Sequence, residues 1–218
     1  MFKISGGIFI METILFQGDS ITDWFRAKDR EDAPGSNYVT MVAGELSCKY
    51  PLEYKFLNRG ISGNRSIDIL GRIKKDIIAL NPDYISILIG VNDIWHDLEW
   101  GNGISPEKYE VYYNLIISEL KEALPNIKIM IMEPFILKGY VGLQDWDGYN
   151  GGVRALAKIA KSLAEKHDLV FVPLQDKFDE ATKIAPVEYW AHDGVHPTPA
   201  GHCIIKNAWI DAFENNFR

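Results

Sequence analysis

The chain has 218 residues, of which 47% are hydrophobic and 24% charged, so it is long enough to bury a substantial core. We expect a single domain over residues 1–218, because no repeat, low-complexity tract or linker divides it. The 30 acidic side chains outnumber the 23 basic ones and give a net charge of -7, which repels nucleic acid and anionic membrane surfaces. Both classes of partner are therefore disfavoured, whereas a homo-oligomer is not.

The cellular compartment follows from the cysteines and the N-terminus. Cys48 and Cys203 lack metal-site spacing, and two thiols alone do not make a disulfide framework. The first eleven residues contain a short apolar run but no small-residue cleavage site, so we predict no signal peptide. No apolar stretch is long enough to cross a bilayer. These features favour a cytoplasmic protein with reduced thiols.

Short apolar runs rich in β-branched residues alternate with longer stretches of helical spacing. The predicted strands are 13–17, 54–57, 84–89, 127–132 and 169–172, and the predicted helices are 37–49, 66–78, 105–124, 152–167 and 199–213. Ser105 and Thr198 are N-cap residues followed by proline, which marks the start of two of these helices. The alternation predicts an α/β fold in three layers, with a five-stranded parallel sheet covered by helices on both faces.

Three connecting segments are longer than the fold requires. They are residues 26–36, 94–104 and 133–150, and they are rich in Gly, Pro, Trp and charge. We predict that they are loops and that they form the walls of a binding site.

The first predicted strand leads into Gly18-Asp19-Ser20-Ile21-Thr22, which places Ser20 where a strand meets the following helix. At the positive end of a helix, the backbone N–H of Ser20 and the helix dipole favour a developing oxyanion. The alternative is that Asp19 or Ser20 only caps the helix.

Two further polar segments follow the second and third strands. The second strand leads into residues 58–64, where Gly60 and Gly63 permit a tight turn and close backbone approach. The third leads into Gly90-Val91-Asn92-Asp93, which places the amide of Asn92 just beyond the sheet. Taken singly, each segment is also compatible with an ordinary turn.

Near the C-terminus, Asp193 and His196 lie three residues apart in a loop stiffened by Pro197. A carboxylate bonded to one imidazole nitrogen fixes the tautomer and leaves the other nitrogen to take a proton from a serine. The alternative is a solvated histidine beside a turn aspartate. His192 and His196 are also spaced as i and i+4, but Gly194 and Pro197 disfavour a helical metal site, so we predict no metal.

The positions of these segments favour one site. Three of them follow the first three strands, and in the flavodoxin-like strand order 2-1-3-4-5 the strands before Ser20 and Asn92 flank the switch point where ligands bind.

The four segments, in this order, resemble the four sequence blocks of the SGNH or GDSL hydrolase family, named for Ser, Gly, Asn and His. The resemblance implies that Ser20 is the nucleophile and that Asp193 and His196 complete a triad. It also implies an oxyanion hole made by the N–H groups of Ser20 and Gly63 and the amide of Asn92. Residues 58–64, 89–95 and 193–202 look most like the branch that contains bacterial acetylxylan esterases and related sugar deacetylases. The Gly-x-Ser-x-Gly elbow of the α/β-hydrolases is lacking.

The resemblance implies a cofactor-free serine esterase that removes acetyl groups from xylo-oligosaccharides or related saccharides through an acyl-enzyme. A short-chain esterase, thioesterase or lysophospholipase with the same triad is the alternative, and a non-catalytic carbohydrate-binding protein is the least favoured one. Tryptophans in or near the predicted loops could stack on sugar rings, and we assign Trp95 and Trp190 to substrate binding. The others in this set are Trp24, Trp100 and Trp146.

Overall fold

The structure is a computed structural model that describes residues 3–4, 7–8, 11–142 and 144–218. At its start, β1 (Lys3–Ile4) and β2 (Gly7–Ile8) pair in antiparallel fashion, with Lys3 opposite Ile8. These two short strands are not among those predicted from the sequence. The predicted absence of a signal peptide concerns residues 1–11, many of which lie outside the described residues, and it stays a prediction.

A parallel sheet of five strands forms the centre of the protein. Its strands are β3 (Glu12–Gly18), β4 (Tyr54–Asn58), β5 (Tyr84–Leu88), β6 (Lys128–Met132) and β7 (Val170–Val172). They lie in the order β4-β3-β5-β6-β7, which is 2-1-3-4-5 when only these strands are counted and confirms the predicted fold. All five residues of β5 are buried, as expected for a parallel strand covered on both faces.

Helices connect and follow these strands. They are α1 (Ser20–Asp23), α2 (Tyr38–Lys49), α3 (Ser66–Asp76), α4 (Val91–Trp100), α5 (Pro106–Ala123), α6 (Trp146–His167), α7 (Gln175–Ala181), α8 (Val187–Trp190) and α9 (Pro199–Phe217), with a 3₁₀ turn at Ile78–Leu80. The two predicted proline-led starts are confirmed. The side chains of Ser105 and Thr198 accept hydrogen bonds from the backbone N–H groups of Lys108 and Gly201.

The helices lie in two layers around the sheet. On one face α2 packs against α9, and Phe16 of β3 contacts Tyr38 of α2 and Trp209 of α9 with ring centroids 5.9 and 5.2 Å away. On the other face α5 lies between α3 and α6. This arrangement confirms the three predicted layers.

The prediction of a loop over residues 94–104 was wrong for most of that segment, because it lies in α4. This helix buries the side chains of Val91 and Ile94, and Gly101 ends it with a left-handed φ of 61°. A glycine in that conformation is a common helix stop.

The segment 133–150 was also predicted as a loop, yet α6 already begins at Trp146 and not at residue 152. Gly152 lies against the side chain of Ile94, where a Cβ would be only 2.8 Å from Ile94 Cγ2. The glycine therefore serves helix packing and does not interrupt the helix. The third segment, residues 26–36, is a loop as predicted.

Three features bear on the classes of partner. Cys48 and Cys203 are both free and exposed. Within the described ranges no helix is long and apolar enough to cross a membrane. In the same part of the chain no group of three or more His, Cys, Asp and Glu side chains is placed to hold a metal ion. The expectations of no membrane association and no metal stay predictions.

Candidate active site

Ser20 is the first residue of α1, two residues beyond Gly18 at the carboxyl end of β3. Asp19 caps this helix, because its Oδ1 accepts the N–H of Ile21 at 3.0 Å. Gly18 allows the turn, since a Cβ there would lie 2.5 Å from the carbonyl oxygen of Leu88. The cap is thus supplied by Asp19, and the hydroxyl of Ser20 is left for another partner.

That partner is His196. Ser20 Oγ lies 2.9 Å from His196 Nε2, and His196 Nδ1 lies 2.7 Å from Asp193 Oδ2. An imidazole that donates from Nδ1 to the carboxylate accepts at Nε2, so it can take the proton of the serine hydroxyl. The structure therefore brings the three predicted triad residues into one chain of hydrogen bonds.

The loop that carries Asp193 and His196 is closed by its own backbone. The backbone N–H of His192 donates to the carbonyl oxygen of His196 at 2.9 Å, and Ala191 and Pro197 form an isolated antiparallel β-bridge. Gly194 has a φ of 96° and packs so closely on Leu137 that a Cβ would lie 2.4 Å from its carbonyl oxygen. The turn thus requires glycine, and its rigidity fixes the distance between the carboxylate and the imidazole.

Asp193 is held in its charged form. Burial by itself would raise its pKa, but hydrogen bonds from the His196 side chain and from the N–H groups of His196 and Val195 outweigh burial and lower the pKa to about 2. Its two oxygens are used separately, since Oδ1 accepts both N–H groups and Oδ2 faces the ring. The carboxylate is therefore oriented as well as charged.

Two other carboxyl groups near the site differ from it. Burial raises the pKa of Asp19 to about 7 and that of Asp93 to about 7. At neutral pH only Asp193 of these three is fully ionised, so it is the principal counter-charge for an imidazolium at His196.

The three predicted oxyanion-hole residues follow the carboxyl ends of β3, β4 and β5, which are neighbours in the sheet, and their role stays a prediction. Asn92 Nδ2 donates to the carbonyl oxygen of Asn64 at 3.1 Å, which ties α4 to the loop that contains Gly63. The same loop is tied to β3, because Ile61 N–H donates to the Gly18 carbonyl oxygen at 3.1 Å. An amide has two N–H donors, so the bond to Asn64 leaves the second N–H of Asn92 for another acceptor.

We expect Asn92→Ala to lower kcat by roughly 10² to 10³ while KM changes little, because an oxyanion donor acts mainly in the transition state. Steady-state kinetics on p-nitrophenyl acetate would measure both constants. Asn102→Ala is the matched control, since Asn102 is exposed and contacts Arg65 instead. A raised KM with kcat preserved would mean that Asn92 binds the ground state.

Several residues that support the site were not singled out in the sequence. Asp23 Oδ2 accepts the N–H and the hydroxyl of Ser62, each at 2.9 Å, and so joins α1 to the loop before α3. Asp93 accepts the N–H and the hydroxyl of Ser66, which joins α4 to the first residue of α3. Asp23 directly follows the segment 18–22 and Asp93 lies within the segment 90–93, so their positions in the sequence could have identified them as residues that support the site.

An aromatic cleft of about 500 Å³ adjoins the triad. Trp95 connects the two, because it lines the cleft and its ring centroid is 6.0 Å from that of His196. Beyond Trp95 the cleft is lined by other aromatic rings and by carboxylates, among them Trp100, Tyr140, Tyr149, Glu99 and Asp145. The structure therefore places Trp95, predicted to bind substrate, beside the triad.

Trp190 lies elsewhere. Its indole N–H donates to the carbonyl oxygen of Ala185, and its ring lines a groove with Ile204 and Ala208 of α9. The described contacts do not bring this indole into the aromatic cleft, so its predicted role in substrate binding stays a prediction. Trp24, by contrast, lies directly against His196.

The five-stranded parallel sheet with a Ser-His-Asp arrangement at its carboxyl edge defines a hydrolase built on a flavodoxin-like α/β fold, not on the α/β-hydrolase fold. The sequence profile of the GDSL-like Lipase/Acylhydrolase family matches residues 16–204. The chain belongs to this family, and it is a carboxylic ester hydrolase.

Individual relatives agree with this assignment. An acetylxylan esterase of Geobacillus stearothermophilus is 35% identical over 95% of this chain and 94% of its own length. A crystal structure of the acetylxylan esterase from that organism superposes with a TM-score of 0.84, with 32% identity over 95% of each chain. A protein from Parabacteroides merdae described as a GDSL-like lipase superposes with a TM-score of 0.88, with 39% identity over 94% of this chain and 98% of its own.

Proposed function

We propose that this protein removes acetyl groups from short acetylated saccharides, such as xylo-oligosaccharides, through an acyl-enzyme on Ser20. The observation that carries the proposal is the hydrogen-bonded chain from Ser20 through His196 to Asp193. The Geobacillus esterase offers independent support, because its solved structures include catalytic mutants in which a serine or an aspartate is replaced by alanine.

In the acylation step, Ser20 Oγ attacks the carbonyl carbon of the ester while its proton passes to His196 Nε2. The N–H groups of Ser20 and Gly63 and the free N–H of Asn92 would stabilise the negative oxygen of the tetrahedral intermediate. When the intermediate collapses, the C–O bond to the sugar breaks and His196 returns the proton to the leaving hydroxyl. Asp193 stabilises the imidazolium throughout.

In the deacylation step, a water molecule takes the place of the sugar. His196 accepts one proton from it as the water oxygen attacks the acetyl-serine, and the second tetrahedral intermediate collapses to acetic acid while Nε2 returns its proton to Ser20 Oγ. The acetic acid then loses its remaining proton to solvent and leaves as acetate, so atoms and charge balance over the cycle. These steps use only groups of this chain and water.

Two observations support a saccharide as the alcohol part of the substrate. One solved variant of the Geobacillus relative is described as an acetyl-xylooligosaccharide esterase, and the chains align over 95% of each. The cleft beside Trp95 also suits sugars, because it combines aromatic faces with the carboxylates Glu99 and Asp145. Aromatic rings stack on sugar C–H faces and carboxylates accept hydrogen bonds from hydroxyls.

The substrate proposal is tested by a screen of acetylated xylose, glucose and glucosamine derivatives alongside p-nitrophenyl esters of increasing chain length. We expect acetyl esters to be hydrolysed far faster than esters whose acyl chain has eight or more carbons, because a mixed aromatic and acidic cleft does not offer a long apolar groove. A preference for octanoate would contradict the saccharide proposal and favour a lysophospholipase or another lipid esterase. No reaction with any ester, together with sugar binding, would favour a binding protein.

We expect Trp100→Ala to lower kcat/KM for an acetylated xylo-oligosaccharide by roughly 3- to 10-fold and to leave p-nitrophenyl acetate within about twofold. Trp100 lines the cleft and is 65% exposed, so only a substrate with further sugar rings reaches it. Trp95→Ala should affect both substrates, because Trp95 also contacts His196. Equal losses on the two substrates in Trp100→Ala would show that this ring does not bind sugar.

A further inference from the structure

The indole of Trp24 lies on the face of the His196 ring. The two ring centroids are 5.3 Å apart and their planes are inclined by only 25°. Trp95 approaches the same imidazole at a steeper angle of 55°. The imidazole of His196 is thus stacked on one tryptophan and tilted against another.

Trp24 is fixed relative to Ser20 by the short helix α1. The backbone N–H of Trp24 donates to the carbonyl oxygen of Ser20 at 3.0 Å, and the backbone carbonyl oxygen of Trp24 accepts the N–H of Ser36 at 2.9 Å. The next residue, Phe25, has a φ of 59°, a left-handed conformation that is unfavourable for a bulky residue and persists only where the surrounding structure holds it. One helical turn therefore carries both Ser20, which is hydrogen-bonded to His196, and the indole that lies on the His196 ring.

The charged and titratable groups around His196 are few. Asp193 is bonded to its Nδ1, and Asp19 lies near enough to interact with it electrostatically. His202 is fully buried, and burial lowers its pKa to about 4, so it is neutral at the pH of catalysis. His192 stacks on the same indole, with ring centroids 6.4 Å apart.

We infer that Trp24 is a positioning residue whose indole face stabilises the protonated form of His196 and keeps that ring directed at Ser20. The face of an indole carries negative electrostatic potential and attracts cations whose centre lies within about 6 Å. The consequence for turnover rests on the proposed function, in which His196 becomes an imidazolium in both steps. Stabilising that cation lowers both barriers.

The direct test is the pH titration of His196 by ¹H–¹³C NMR in a Ser20→Ala background, where no turnover occurs. Among the signals of the five histidines, that of His196 is identified as the one that is lost in a His196→Gln variant. In Trp24→Leu we expect the His196 titration to move to lower pH by roughly 0.5 to 1 unit, because the cation loses its aromatic partner. Trp24→Phe, which keeps a weaker aromatic face, should give an intermediate shift.

The same substitutions with Ser20 intact should lower kcat by roughly 3- to 30-fold for Leu and less for Phe. The acid limb of the kcat/KM profile should move to lower pH in parallel with the NMR titration. Phe25→Ala is the matched control, because this exposed ring packs edge-on against Trp24, with ring centroids 5.4 Å apart, and is not stacked on His196. It should leave the titration unchanged.

The outcomes separate this inference from the proposed function. A titration of His196 that is the same in Trp24→Leu, Trp24→Phe and the parent would overturn the inference, even if activity falls. A shifted titration supports the stacking interaction. If that shift came with no change in kcat or in the pH profile, it would count against His196 as the catalytic base and not against the stacking.

Discussion

Ser20→Ala is expected to lower kcat for p-nitrophenyl acetate by about 10⁶-fold, the order of loss that follows removal of a serine nucleophile. Without the hydroxyl no acyl-enzyme forms, and His196 Nε2 loses the partner that lies 2.9 Å away. Steady-state kinetics measures the loss. Covalent labelling with a fluorophosphonate probe measures the nucleophile itself, since the wild type should be labelled and the variant should not.

The matched control for this variant is Ser118→Ala. Ser118 is exposed on α5 and donates only to the carbonyl oxygen of Asn114, so its removal should change neither kinetics nor labelling. Both variants should keep the free energy of unfolding within about 0.5 kcal/mol of wild type, since neither removes a core side chain. Turnover near the wild-type rate in Ser20→Ala would remove Ser20 from the mechanism.

Asp193→Asn is expected to lower kcat by about 10⁴-fold, as replacement of the orienting aspartate does in a serine protease triad. An asparagine whose Oδ1 keeps the N–H bonds from Val195 and His196 turns its NH₂ group toward His196 Nδ1. The imidazole must then accept at Nδ1 and carry its proton on Nε2. In that tautomer it cannot take the proton of Ser20.

The measurement for this prediction is kcat across pH, with Asp211→Asn as the control for loss of a carboxylate. Asp211 is exposed on α9 and lies outside the site, so its substitution should be silent. A loss of less than tenfold in Asp193→Asn would show that another carboxylate orients the imidazole. Asp19 would then be the first alternative to examine, because it also interacts with His196.

The site could be predicted to the extent that its parts are local. Asp193 and His196 are three residues apart, so one turn places them together. Ser20 and Asn92 are far apart in sequence, but both follow strands that became neighbours in the sheet. Because parallel strands end at one edge, identifying the strands was sufficient to predict that these side chains gather there.

Helix boundaries were predicted where the determining signal is also local, as at Ser105 and Thr198. They were missed where the signal lies in another element. Gly152 is typical of a helix break when considered in its own segment, yet within α6 it provides the space for Ile94 of α4. Tertiary packing thus overrides the low helix propensity of glycine.

The amino-acid sequence by itself determined the five strands of the sheet, the edge of the sheet that carries the site, and the pairing of a carboxylate with an imidazole. These follow from apolar periodicity and from short motifs whose geometry a single turn sets. Only the tertiary structure decided that Trp24 lies on His196 and that Trp190 lies in a separate groove. The sequence alone does not distinguish a tryptophan that lines the site from one that packs elsewhere. The position of an indole depends on side-chain packing between distant segments, and Trp24 and His196 are 172 residues apart.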